Sequence, residues 1–496
     1  MAKFDFDLCV LGGGAAGLTV ASGATRLGMR TLLAEREPLL GGDCLHYGCV
    51  PSKTLIKTAK VRQLMNRARE FGLPEAALPP VDFRDVAARI RSVINTIQAH
   101  DSVERFCSLG VRVEFGPARF LDEHRVEIGE KRFSAGRIVI ATGSAPAIPP
   151  IPGLDSVPFL TNLDVFSLDQ LPRSLAVLGA GPIACELGQA FARLGSRVTL
   201  IQRGGQILSA EDADLAAVAE QALRAEGVDI RLGCAVREVR QSRSDVEVLY
   251  EQADGPESVH SDRGGHGIHS VRAERLLVAL GRRSNVDGLG LENAGVAFTA
   301  GGIAVDARMR TSRKHIFAAG DVTGKHRFTH AAGYEGGIVV TNAAMRLPRR
   351  ADYTFLPHCT YTDPELAGIG RNEKDCRREG IECVVHTEPF SANDRALAES
   401  ETRGLVKLIL DRRGRPLGVR IAGPHAGELA GEWVAVLRGK VGLSTLAGAV
   451  HPYPTLVEIN KRIAGNVYAP RIFSERVRKI LHFLFGHRGN ACNMSE

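Results

Sequence analysis

The chain has a single tryptophan, and aromatic residues make up only 5% of its 496 residues. No basic run interleaves with aromatics, so nucleic acid is not an expected partner even at a formal net charge of +7. No apolar run approaches the roughly 18 residues of a membrane-spanning helix. Ten cysteines in this length do not make a disulfide scaffold. No second Cys-x2–4-Cys cluster completes a zinc site, so no structural metal is expected. The opening stretch MAKFDFDLCVLGGG has no charged segment leading into an apolar one, and the expectation is a cytoplasmic protein with reduced bulk thiols. What is present is an ordinary globular composition, 44% apolar and 24% charged, at a length that suggests about three or four domains.

One glycine pattern occurs twice. Leu8–Leu11 reads as a buried strand that runs into Gly12, Gly14 and Gly17, followed by a helical stretch and a second apolar strand ending at Glu35. This is a dinucleotide-binding unit: the glycines allow a tight turn and close approach of a pyrophosphate to a helix N-terminus, and the acid meets a ribose hydroxyl. Leu175–Leu178 leads in the same way into Gly179, Gly181 and Ala184, at a constant offset of 167 from the first unit. Two dinucleotides are therefore expected. The same offset puts Gln202 where the first unit has Glu35, and Arg203 follows. Without the carboxylate, and with an arginine at hand, the second site leans towards NADPH, NADH remaining possible. RIVIATGSAP, with Thr142 and Gly143, and RLLVALGRRSN, with Gly281, read as further strands ending at glycine; HIFAAGDVTG reads as a strand ending at Asp321.

GGDCLHYGCVPSKTL, residues 41–55, carries Cys44 and Cys49. Metal site, structural staple and electron-carrying couple are the three readings. In a regular helix, residues five apart have Cα atoms about 8–9 Å apart, too far for a disulfide. A bond here needs a distorted turn, which Gly48 permits, and a strained, accessible disulfide is easily reduced. A helix N-terminus and Lys53 are expected to lower the thiol pKa values.

GGDCxxxGCVPSK, with ATG, AAGDV and YTDPELAGIG in order, resembles the pyridine nucleotide–disulfide oxidoreductases from Phe6 to about Ala469. The resemblance implies an α/β fold of two doubly wound, Rossmann-like dinucleotide domains and a C-terminal α/β dimerisation domain. It implies FAD in the first site, a nicotinamide cofactor in the second, and a homodimer with a shared active site. Residue by residue, it makes Cys44 the interchange thiol and Cys49 the thiol against the flavin. Lys53 and Glu186 become an ion pair near the flavin, and Asp321 the holder of the FAD ribitol. The implied domains are 1–150 (FAD, first part), 151–275 (NAD(P)), 276–350 (FAD, second part), 351–475 (dimerisation) and a basic tail, 476–496.

In the disulfide reductases of that family a His-Pro motif of the partner subunit supplies acid and base. Here, in VHPYPTLVE, alignment on Pro454, Thr455 and Glu458 puts Tyr453 in the histidine's place, with His451 two residues earlier. A tyrosine, with a pKa of about 10, is a poor base at neutral pH. That context resembles the mercuric reductases, in which Hg(II) is reduced to Hg(0) and a soft metal needs thiolates at Cys44 and Cys49 rather than a proton relay. A dihydrolipoamide dehydrogenase-like or other disulfide reductase is the alternative, and a redox-sensing FAD protein without turnover the non-enzymatic one. Mercuric reductases end in a Cys-Cys pair; here Cys492 stands alone. The tail helix, with Arg476, Arg478 and Lys479 among leucine and phenylalanine, is expected to be solvated and to pack on its own domain without membrane contact. Residues 254–270 are expected to form an exposed polar loop.

Overall fold

Apolar runs that lead straight into glycine become the parallel strands of two sheets. The computed structural model describes residues 4–252, 267–487 and 489. In the first sheet Phe6–Leu11 runs parallel to Thr31–Glu35 on one side and to the end of Lys131–Ile140 on the other. Val111–Phe115 and Ile316–Ala318 add further parallel strands. The first half of Lys131–Ile140 turns to an antiparallel pairing with Arg125–Ile128, which pairs with Ala118–Phe120. Leu8 and Val10 enter one hydrophobic cluster and Cys9 and Leu11 the opposite one. A strand covered on both faces reads as a continuous apolar run, as this one does.

The second parallel sheet has the order Asp229–Arg231, Arg197–Ile201, Ser174–Leu178, Arg275–Val278. The helices Ala15–Arg26 and Pro182–Leu194 follow the first strands of the two sheets. Their N-caps, Gly14 (φ −87°, ψ −170°) and Gly181 (φ −76°, ψ −176°), have the same extended conformation. The sequence repeat is thus a repeat in space. Beside the second sheet stands an antiparallel meander of Cys234–Ser242, Asp245–Gln252 and Ile268–Ala273. Residues 268–270, expected in the polar loop, belong to its last strand, because Tyr250 and His269 pair across the ladder and stack their rings. Most of that loop, and Cys492, lie outside the described residues.

Contacts divide the chain into Met1–Ser209 with Leu223–Tyr353, and Ala210–Ala222 with Thr354–Glu496. The boundaries expected at 150 and 275 fall inside the first unit. The second unit is built on a five-stranded antiparallel sheet ordered Pro357–Thr360, Glu365–Gly370, Pro416–Gly423, Leu405–Asp411, Cys383–Pro389. One face packs on the helix Ala426–Arg438, whose fully buried Trp433 donates Nε1–H to Asn460 Oδ1 at 2.7 Å. Buried Lys407 meets Asp212 at 3.4 Å and Asp214 at 2.9 Å, which ties the segment 210–222 to this sheet. The helix Glu475–Phe485 forms with Ser474 as its N-cap, yet none of its residues is buried. The expected packing of the tail helix on its own domain is absent among the described residues: its bulky apolar side chains are exposed.

Candidate active site

Two helices, not one, carry the cysteine pair. Gly42–His46 holds Cys44, and a new helix, Cys49–Asn66, begins at the second thiol. Gly48 separates them with φ −125° and ψ −114°. A Cβ at Gly48 would lie 2.9 Å from the Asp43 carbonyl oxygen and 3.3 Å from the Cys44 Cα, so the turn closes only around glycine. This break removes the spacing that a regular helix would impose and brings the thiols into hydrogen-bond contact.

Neither cysteine is in a disulfide. Their environments divide one proton between them. The hydrogen bond from Cys44 holds the Cys49 pKa down, at about 6, with help from Thr329 and from the charge of Lys53. The Cys44 pKa rises far above the ordinary thiol range, first because its proton is engaged by Cys49 and second because of its own burial. The expected lowering therefore holds for Cys49 and is reversed for Cys44: two adjacent thiolates would repel, so the pair ionises once. Thr329, the first residue of the helix Thr329–Ala343, places Oγ1 3.4 Å from Cys49 Sγ. Lys53, one turn into the second helix, donates to buried Glu186 at 2.7 Å.

A cavity of about 550 Å³ opens beside this pair, bounded by Gly12, Gly14, Glu35, Asp43, Thr142 and Gly143 among others. Gly12 sits at φ +110°, and a Cβ there would fall 2.3 Å from the Ala141 carbonyl oxygen. A Cβ at Gly17 would fall 1.8 Å from the Gly12 carbonyl oxygen, so helix and loop meet backbone to backbone. The helix after Gly14 has no side-chain cap and no acid in its first turn, which leaves its amides for an anion. Buried Glu35 accepts from Gly13 N–H at 2.6 Å and from Glu37 N–H at 2.8 Å, and a carboxylate keeps further lone pairs for a hydroxyl. These features fit the flavin dinucleotide.

Asp321 accepts from Ser144 Oγ at 2.6 Å, and burial raises its pKa. Arg282 donates Nε–H to Ser144 Oγ at 2.7 Å and pairs with Asp43 at 3.1 Å. Thr142 Oγ1 donates to the Asn285 carbonyl at 2.7 Å, and the Asn285 amide donates back at 2.8 Å. Fully buried Glu335 accepts from Gly320 N–H at 2.6 Å and from Tyr353 at 2.7 Å, bracing the loop just before Asp321. Ser144, Arg282, Asn285, Thr329 and Glu335 were not singled out from sequence. Ser144 and Arg282 directly follow the glycines that were, whereas nothing local marks Thr329 or Glu335.

At the second loop Gly179 has φ +107°, with a Cβ position 2.6 Å from the Ala279 carbonyl oxygen. Gly181 caps a helix that again has neither side-chain cap nor early acid, and Ala184 is fully buried. Gly281 has φ +111° and lies exposed. Arg203 is exposed, and Gln202 Nε2 donates to the Gln206 carbonyl at 3.4 Å. This loop fits a nicotinamide dinucleotide.

In the second unit Tyr453 is 70% exposed and donates its hydroxyl proton to Asp394 at 2.9 Å; that hydrogen bond raises its pKa. Tyr453 and Glu458 border a cavity of about 470 Å³ with Asp394, Lys461 and Arg462. Glu458 begins the helix Glu458–Ile472 and accepts from Thr455 N–H at 3.4 Å. His451 is held by Glu432, Nε2 to Oε1 at 2.8 Å, with its Nδ1 buried and unpaired.

Comparison with known proteins agrees with this geometry. Residues 6–336 match the pyridine nucleotide-disulphide oxidoreductase family, and residues 356–463 match the dimerisation domain of the same family. The chain belongs to that family, which uses FAD and NAD(P)H. Mercuric reductase from Streptomyces lividans is 35% identical over 92% of this chain and 95% of its own length. Dihydrolipoyl dehydrogenase from Bacillus subtilis is 33% identical over 91% of this chain and 96% of its own. The HOCl-induced flavoprotein disulfide reductase RclA from Escherichia coli superposes with a TM-score of 0.81 at 28% identity, covering 93% of this chain and 100% of that one. Among the described residues no helix is long and apolar enough to cross a membrane.

Proposed function

We propose that this flavoprotein passes electrons from NADPH through Cys49 and Cys44 to Hg(II), releasing Hg(0). The observation that carries the choice of acceptor is Tyr453: at the position of the acid–base histidine stands a phenol whose proton is committed to Asp394 and whose pKa is raised. A disulfide acceptor needs a proton delivered to its leaving thiolate, whereas Hg(II) needs only two sulfur ligands.

In this reading the bound flavin supplies two-electron transfer from the nicotinamide to the thiols. Lys53, steadied by Glu186, keeps Cys49 ionised. The Cys49 thiolate bonds Hg(II) first; Cys44 then joins and releases its proton, so two S–Hg bonds form and one proton leaves. Two electrons and one proton return the pair to its starting state as Hg(0) departs. Asp321 with Ser144, and Glu35 with the glycine loop, hold the FAD. Gly179, Gly181, Ala184 and Gly281 hold the nicotinamide dinucleotide, with Arg203 on its 2′-phosphate. The dimerisation-domain match supports a homodimer in which Tyr453 and Glu458 serve the thiols of the other subunit.

The test is anaerobic NADPH oxidation with Hg(II), lipoamide and glutathione disulfide as separate acceptors. Hg(II)-dependent turnover that requires both Cys44 and Cys49 is expected; turnover with a disulfide and inhibition by Hg(II) would overturn the choice of acceptor. Disulfide reduction is the second reading, favoured by the His451–Glu432 pair, which is a ready acid–base couple. Turnover with no acceptor would leave the redox-sensing alternative. Arg203→Ala is expected to raise KM for NADPH by about tenfold and leave NADH within twofold.

A further inference from the structure

We propose that the C-terminal helix, residues 475–485, is an in-plane anchor that seats the enzyme on an anionic lipid surface. The helix has two chemically distinct faces. At 100° per residue, Ile480, Leu484, Val477 and Leu481 form one continuous stripe, bordered by Phe485 on one side and by Arg476 and then Phe483 on the other. Arg478, Lys479 and His482 occupy the rest, with Glu475 as the single acid.

Among the described residues nothing covers the apolar stripe. Phe483 is 87% exposed, Phe485 67% and Leu484 60%, and Phe473 just before the helix is 76% exposed. The chain buries its core aromatics elsewhere: Trp433 and Phe390, in the same unit, are fully buried. Three exposed phenylalanines within thirteen residues are therefore a local concentration in a chain poor in aromatics. A soluble surface does not carry such a patch without a use for it.

Charge selects the occupant. Lys479 is 3.5 Å from Glu475, and Arg476 and Arg478 have no carboxylate partner among the described residues. An apolar stripe that dips below the headgroups while arginines stay level with them is the arrangement of an interfacial helix, and arginines draw it to anionic lipid. With eleven residues the helix is too short to span a bilayer. The dimerisation-domain match ends at residue 463, before this helix begins.

The experiment is flotation of the full-length, flavin-loaded protein with vesicles of phosphatidylcholine alone or with 30 mol% phosphatidylserine, at about 50 and 500 mM salt. Binding to the anionic vesicles is expected, at least about tenfold above the neutral ones and falling at high salt. Phe483→Ser with Leu484→Ser, and separately Arg476→Glu with Arg478→Glu, are each expected to lower binding about tenfold while NADPH oxidation in solution is unchanged. No flotation of the wild-type protein at low salt, or flotation of both variants equal to that of the wild-type protein, overturns the proposal. So does a self-association, measured by sedimentation velocity, that the Phe483→Ser, Leu484→Ser variant abolishes in the absence of lipid binding: the stripe would then seat a second copy.

Discussion

Among the described residues two pairs of thiols lie within hydrogen-bonding reach of each other, Cys44 with Cys49 and Cys376 with Cys383. Each joins a short helix to the start of the next element. Cys49 and Cys376 are shifted in opposite directions. Cys49 is exposed, begins an eighteen-residue helix, and has Thr329 and Lys53 beside it, so its pKa falls to about 6. Cys376 is buried in a six-residue helix, and burial with the neighbouring Cys383 pushes it up to about 11. Proximity of two sulfurs is thus not enough to make a reactive couple. A cation, a hydroxyl and access to solvent decide which sulfur holds negative charge.

Replacing one thiol in each pair is the hardest test of this contrast. Cys49→Ser is expected to lower turnover by roughly a thousandfold or more, and Cys383→Ser to leave it within twofold. Comparable losses from the two would erase the distinction, and acceptor-dependent NADPH oxidation measures both.

Alkylation of the reduced protein comes next in size. At pH 7.5 the ionised fractions of Cys49 and Cys376 differ by about three orders of magnitude, and the weaker nucleophilicity of a low-pKa thiolate returns about two. Ionisation alone then favours Cys49 by about tenfold, and the burial of Cys376 widens the gap. Mass mapping after a timed iodoacetamide pulse reads the ratio. The Cys49 rate is expected to be half-maximal near pH 6. The sign for stability follows: the folded pKa is depressed, so the contribution is complete above the ordinary thiol pKa and is lost as pH falls through about 6.

Gly48→Ala probes the turn that makes the first pair. Its Cβ would press on the Asp43 carbonyl oxygen at 2.9 Å, so the helices must part. A stability loss of about 1–3 kcal/mol and an upward shift of the Cys49 pKa are expected, read by thermal unfolding and the same alkylation profile. A variant with unaltered profile would show that the thiols meet without this close turn.

The smallest expected effects concern the ion pair. Lys53 lowers the Cys49 pKa and Glu186 raises it. Lys53→Met is therefore expected to move the alkylation midpoint up and Glu186→Gln to move it down. Shifts of the same sign would mean that the pair acts through folding rather than through charge.

Much of the site could be read from local patterns. The loops at Gly12 and Gly179 are legible because a backbone turn that excludes Cβ atoms leaves a spacing of glycines in one short stretch. Glu35, Gln202 and Arg203 follow from the repeat itself. Thr329 was invisible for the opposite reason, reaching Cys49 from 280 residues away, and the partners of Glu335, Gly320 and Tyr353, lie outside its own helix. The tail helix was legible as amphipathic and misjudged as packed, since periodicity reports a face and not what covers it.

From the residues alone come the two nucleotide-binding units; the family resemblance of short motifs implies the direction of electron flow to the cysteine pair and a histidine's place for Tyr453. Those are properties of short segments and of their repetition. The ownership of the shared proton by Cys44, the ionisation of Cys49 and the nakedness of the last helix were decided only by tertiary structure. Charge and exposure depend on which distant atoms come near, and no local pattern records that.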